Sequence, residues 1–328
     1  DEGLDQRGEP RADRHEVVGR GDERDGMGDR ECRDHRDEAA EPPEGDDEAE
    51  EKQEVIPRAF IKKFEKQSID FSAPDESRLD ITNAAAVADA VAAYTPDVIV
   101  NCAAYNLVDR AEQEQGRAFA VNASGPKHLA PSAARQKAIL VHFGSDYVFD
   151  GTKENGLYEE DDQVNPLNEY GKSKRSGEDL VREACGNFLI FRLSWVYGAG
   201  KQNFIHKLKE WARDSEYLKI ACDEFSVPTC VDTVVDVTLR SLDQGLQGLY
   251  HLTNSGFCSR YEWARFIAGR LGIHKFIRPV SMDSFNLPAK RPKFSAMNNA
   301  KLSGALNVAI PAWEAAVEAF MREEHFAS

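Results

Sequence analysis

From Arg58 onward the apolar residues fall into two alternating rhythms. Short unbroken runs, Val98-Ile-Val-Asn-Cys102, Ala138-Ile-Leu-Val-His-Phe143 and Phe188-Leu-Ile-Phe-Arg-Leu-Ser194, have no polar face. That predicts strands buried on both sides of a parallel sheet. Between them the spacing turns helical: apolar residues at 60, 61 and 64 within 58–67, an alanine-rich stretch 84–94, then 109–121, 125–137 and a helix from the Tyr170 region to about Ala184. Ile69-Asp-Phe71 reads as a further brief strand. Strands alternating with helices predict an α/β fold with a doubly wound parallel sheet. After Gly198 the alternation loosens. Helices over 204–215, 231–242, 263–271, 298–306 and 312–322, with a strand at Gly248–Leu252, form a smaller α/β region interleaved with the sheet.

Charge separates the first residues from this pattern. The 328-residue chain carries a net −16, and residues 1–50, with 20 acids and 8 arginines, hold −12 of it. They contain no Lys, Ser, Thr, Asn, Ile, Phe, Tyr or Trp. So little apolar side chain cannot offset ordering entropy, and residues 1–56 are expected to be disordered. One reading is a solubilising acidic tail; the absence of Ser, Thr and Lys supports another, a segment not native to the domain. The negative charge argues against nucleic acid and anionic membranes as partners. No run approaches the length of a membrane span and no secretory signal is visible. The six scattered cysteines form no Cys-x-x-Cys, so reduced thiols and a cytoplasmic location are expected. No His, Cys and carboxylate cluster suggests a metal.

The chemistry concentrates in Gly144-Ser-Asp-Tyr-Val-Phe-Asp-Gly151 and Asn168-Glu-Tyr-Gly-Lys-Ser-Lys174. Tyr170 and Lys174 lie four apart and share a helix face. A cation held there is expected to bring the phenol's pKa down toward neutrality. With Ser145 holding a carbonyl oxygen and Tyr170 exchanging its proton, the set suits carbonyl reduction or alcohol oxidation beside a hydride-carrying cofactor.

These residues stand within a longer series: Leu79-Asp-Ile-Thr82, Asp97-Val-Ile-Val-Asn-Cys-Ala-Ala-Tyr105, Val121-Asn-Ala123, Pro166-Leu-Asn-Glu-Tyr-Gly-Lys-Ser-Lys174 and Arg192-Leu-Ser-Trp-Val-Tyr-Gly198. Over about 58–322 the chain resembles the extended short-chain dehydrogenase/reductases, and among them the dTDP-4-dehydrorhamnose reductase family. The resemblance implies a Rossmann-like dinucleotide-binding region over 57–198 with about 230–250, a mainly substrate-binding region over 199–328, NADPH or NADH as cofactor and a dTDP-sugar as substrate. Oligomeric state is left open, a homodimer among the options. Catalytic roles fall on Tyr170, Lys174 and Ser145. Cofactor contacts fall on Asp80, Ile81, Ala104, Tyr105, Asn106 and Phe143 as well as Tyr170 and Lys174. Substrate contacts fall on Ser145, Asp146 and Trp195. Structural alternatives stand beside them: Asp80 as a helix N-cap, Ala104 and Tyr105 as a strand end, Trp195 and His142 as core, Arg192 in an ion pair, and Asp109, Glu112 and Glu114 as a solvated helix face.

One departure is large. This fold normally opens with a hydrophobic strand running into Gly-x-x-Gly-x-x-Gly, where backbone N–H groups approach a pyrophosphate. Ahead of the 58–67 helix stands Gln53-Glu-Val-Ile-Pro57, with neither glycines nor a strand pattern. The alternatives to a reductase are therefore a non-catalytic regulatory or binding subunit of the same fold, and another sugar-nucleotide epimerase or reductase.

Overall fold

The computed structural model describes residues 55–200 and 203–324; the acidic segment 1–54, with its expected disorder and foreign origin, lies outside the described residues. Helices are α1 Val55–Gln67, α2 Ala84–Tyr94, α3 Gln115–Phe119, α4 Gly125–Gln136, α5 Glu169–Ala184, α6 Phe204–Asp214, α7 Val231–Asp243, α8 Arg260–Arg270, α9 Ala300–Leu306 and α10 Trp313–Glu323. Strands are β1 Val98–Asn101, β2 Ile139–Ser145, β3 Phe188–Leu193, β4 Val196–Tyr197, β5 Tyr217–Ala221, β6 Phe225–Ser226, β7 Thr229–Cys230, β8 Gly248–His251, β9 Cys258–Ser259 and β10 Phe276–Val280. Val55 and Ile56, assigned by sequence to the acidic segment, belong to α1. Pro57 is tolerated in its first turn, where an N–H has no intrahelical partner anyway.

The central sheet is parallel, in the order β1-β2-β3-β8. Alternate side chains leave it in opposite directions. Val141, Phe143, Leu189 and Phe191 meet Phe60 of α1 and Val234 and Val235 of α7. Leu140 and Ile190 meet Val87 and Val91 of α2, Leu129 and Ala133 of α4 and Val181 of α5. The sheet is thus wound on both faces. A second core, with Leu208, Trp263, Val317 and Phe320 at its centre, joins α6, α8 and α10 to the parallel pair β5 and β10.

Several elements differ from the sequence expectation. β1 is half-buried at Val98, Ile99 and Val100 rather than fully buried, because among the described residues it pairs only with β2. Ile69 and Phe71 form no strand and are 40% and 38% exposed; no described strand lies ready to pair with them. The helix expected over 109–121 breaks into a 3-10 turn, the short α3 and a π turn at Ala120–Ser124. Pro126 cannot donate to the Asn122 carbonyl, so the ladder widens there. The pair β5–β10 has no clear sequence signal: Glu216, Lys219 and Arg278 interrupt its apolar rhythm.

Candidate active site

β2 delivers Ser145 in extended backbone, and its hydroxyl accepts from Tyr147 N at 3.1 Å, starting the turn 146–148. α5 begins at Asn168, whose Oδ1 caps Gly171 N at 2.7 Å while its Nδ2 donates to the Lys290 carbonyl at 2.7 Å. Glu112 accepts from Glu169 N at 2.9 Å. Two glycines let this helix lie against neighbouring backbone. A Cβ on Gly171 would stand 2.3 Å from the Tyr147 carbonyl oxygen, and one on Gly177 2.1 Å from that of Asn122.

The result brings the expected trio together. Ser145 stands beside the Tyr170 phenol and pulls its pKa down, and the phenol ring meets Tyr147 edge-on at 5.8 Å. Lys174 is buried at 3% exposure and has no ion-pair partner among the described residues. Glu178, one turn on, is taken by Arg192, whose Nε and Nη2 donate to it at 3.0 and 2.8 Å; Arg192 is the structural partner that the sequence allowed. His142 is held neutral by burial and by Lys174, its pKa pushed well below the ordinary value, with Nδ1 3.2 Å from Asn101 Nδ2.

Electrostatics correct one expectation. Burial pushes Tyr170 up to about 12, with Ser145 pulling it down and the Asp146 charge adding to the rise. Lys174 itself is pushed down to about 8 by burial, against the pull of Glu178. Desolvation, rather than the neighbouring cation, governs the phenol here.

The loop after β1 reaches the same place. Asn122 accepts from Tyr105 N at 2.8 Å and donates to the Tyr105 carbonyl at 2.9 Å and to Ser173 Oγ at 3.0 Å. Tyr105, buried at 2% exposure, shares an apolar cluster with Leu107 and Tyr170; Ala104 and Asn106 flank it half-buried. Asp109 anchors the loop to Arg291 at 2.9 and 2.5 Å. Glu114 takes the Tyr105 hydroxyl at 3.1 Å. So Asp109, Glu112 and Glu114 are engaged in tertiary contacts rather than forming a solvated face.

Other residues sit elsewhere. Asp80 is exposed and accepts from the Thr82 N–H and hydroxyl, each at 2.8 Å; the cap of α2 is Asn83. Ile81 packs toward α4 with the apolar layer of α2. Phe143 directs its ring into the core, 6.2 Å from Phe60 and 6.4 Å from Phe191. Asp146 is enclosed: it accepts from Ser145 at 3.2 Å, Ser226 at 2.9 Å and Ser295 at 2.6 Å. Burial raises its carboxyl to about 6, against the pull of those three hydroxyls. Trp195, at left-handed φ of 39°, stacks on Trp263 at 5.7 Å and carries the Arg260 guanidinium 3.7 Å over its ring. It is half-buried, sharing in both the core and the open side.

Comparison with known proteins settles the lineage. Residues 52–326 match the family model of the RmlD substrate binding domain. The chain belongs to this family. The dTDP-4-dehydrorhamnose reductase of Burkholderia thailandensis is 34% identical over 246 residues, covering 70% of this chain and 82% of that protein. The Escherichia coli enzyme of the same name is 33% identical over 255 residues, with 74% and 85% covered. Among solved structures, the Clostridium acetobutylicum dTDP-4-dehydrorhamnose reductase superposes with a TM-score of 0.79 at 32% identity, over 83% of this chain and 96% of that one. The Bacillus anthracis enzyme, solved in complex with NADP, gives 0.78 at 32% identity over 82% and 95%. By lineage this RmlD-family chain is a sugar-nucleotide oxidoreductase. Among the described residues no helix is long and apolar enough to cross a membrane, and no His, Cys, Asp and Glu group could hold a metal ion.

In the sequence Asn122 and Asn168 stand only within motifs and Glu112 on an expected solvated face, and none of them is given a role at the site. Asn168 was legible as an N-cap two residues before Tyr170. Asn122 and Glu112 had no local signal, since their partners lie 17 and 57 residues away.

Proposed function

We propose that this chain descends from NAD(P)H-dependent reductases of a dTDP-4-keto-6-deoxy sugar, that its proton-donating and sugar-nucleotide half is intact, and that its cofactor half is incomplete. The carrying observation is the meeting of Ser145 with the Tyr170 phenol, whose pKa it lowers, and of buried Lys174 on the same helix face. Tyr170 would protonate the substrate's carbonyl oxygen and Ser145 would orient it. Asp146 would hold Ser145, and Trp195 would contact the sugar nucleotide. Lys174 fits the ribose end of a nicotinamide dinucleotide, being a buried cation without an acid of its own. The pyrophosphate end does not fit: residues 1–57 contain no Gly-x-x-Gly-x-x-Gly, and β1, which should flank the strand leading into it, has an open edge among the described residues. No hydride step is therefore assigned.

The same observation favours a second reading, a binding subunit without turnover. Titrating the full chain with NADPH and NADH by nicotinamide fluorescence, and with dTDP by calorimetry, separates the readings. We expect dTDP to bind and neither dinucleotide to do so. Tight dinucleotide binding would overturn the incomplete half, and failure of dTDP would overturn the intact one. Turnover that survives Tyr170→Phe would remove the role given to Tyr170.

A further inference from the structure

A cavity of about 550 Å³ opens beside the edge strand β8, between α5, the segment 160–164 and α9. None of the residues of the candidate active site lines it. Its basic wall is Arg175 and Arg182, two turns apart on one face of α5, with Lys301 of α9 and, buried at 1% exposure, Arg192. Arg175 is spoken for by Asp179 at 2.7 Å. Among the described residues Arg182 has no ion-pair partner, and Lys301 has no acid, donating to the Leu249 carbonyl at 3.0 Å and lying 5.1 Å over the Tyr250 ring. Arg192 gives Nε and Nη2 to Glu178, but its buried Nη1 has no hydrogen-bond partner among the described residues. A buried donor left unmade costs about 1–3 kcal/mol and calls for an acceptor.

The lining also carries an acidic wall, Glu160, Asp161 and Asp162, of which Glu160 already accepts from His251 N at 2.8 Å through Oε1. Those carboxylates would repel a bare polyanion such as a diphosphate, yet they are good acceptors for hydroxyl hydrogens. A ligand matching both walls carries one compact anion at one end and hydroxyls at the other. The volume lies in the range of small-molecule sites. We propose that this cavity binds a phosphorylated monosaccharide, its phosphate on Arg182, Lys301 and Arg192 and its hydroxyls on Glu160 and Asp161.

The test is calorimetric titration of the full chain with glucose 1-phosphate, inorganic phosphate and glucose in turn, repeated on Arg182→Ala and Lys301→Ala. Arg182 is exposed and unpaired, so its removal leaves the fold alone. The sugar phosphate should bind, more tightly than phosphate or glucose. Each substitution should weaken it by about tenfold or more, the loss of one charge-assisted contact, while dTDP titrations stay unchanged. The proposal falls if glucose 1-phosphate shows no binding up to about 10 mM, or binds equally well to both variants. It falls equally if dTDP displaces the sugar phosphate, or if phosphate or glucose alone binds as tightly. A failure of dTDP alone would touch only the preceding proposal.

Discussion

At the scale of single residues, Asp146 is a carboxyl enclosed among three hydroxyls with no cation paired to it among the described residues. Its folded pKa, about 6, lies above the ordinary 3.8. The native state therefore holds this proton more tightly than the unfolded chain. The stability so gained is complete below about pH 4 and is lost as pH rises through 6. At neutral pH the buried charge costs on the order of 3 kcal/mol. Asp146→Asn keeps an acceptor, and the serine hydroxyls can rotate to meet the amide. Its urea unfolding free energy relative to the parent should therefore be more favourable at pH 7.5 than at pH 4.5, by about 2 kcal/mol. Equal differences at the two pH values would mean that the carboxyl is not held in this way. Tyr170 and Lys174 show why spacing was informative but incomplete: i and i+4 put them on one face, while burial set their proton affinities.

At the scale of elements, α5 is the part that makes the site, and its glycines fix how closely it lies. Gly177 would place a Cβ 2.1 Å from the Asn122 carbonyl oxygen, and that oxygen belongs to backbone that cannot swing aside. Gly269 in α8 has nothing within 4 Å. The same substitution should then have opposite signs. Gly177→Ala should destabilise by about 1–3 kcal/mol despite its better helix propensity, and Gly269→Ala should stabilise by up to about 1 kcal/mol. Urea unfolding of both variants checks this; a neutral Gly177→Ala would show that the helix has room to retreat. The sequence located α5 well because it combines an Asn cap with a strong amphipathic period. It did not locate the π turn that α5 rests on, because that turn follows from what Pro126 withholds.

At the scale of the whole molecule the decisive feature is the edge of β1, unpaired on one side among the described residues. A parallel sheet wound on both faces normally buries its middle strands, yet Val98–Val100 are half-buried with pairing on one side among the described residues. Unpaired edges invite another strand. Replacing the residues ahead of Val55 with a hydrophobic strand ending in Gly-x-x-Gly-x-x-Gly should pair with that edge. It should raise the urea midpoint and bring NADPH affinity into the roughly micromolar to millimolar range common for enzyme ligands. If the graft raises stability without NADPH binding, the defect in the cofactor half lies beyond the loop.

The sequence by itself determined the sheet strands, the long helices and the pairing of a phenol with an ammonium, because period and capping are local properties. It also showed that residues 1–57 contain no Gly-x-x-Gly-x-x-Gly, since that motif is contiguous. Tertiary structure alone decided that Asp146 is sealed by Ser226 and Ser295, that Phe143 faces core, and that Asp109 is taken by Arg291. These depend on partners far away in the chain, and burial depends on which faces those partners cover. No local pattern carries that information.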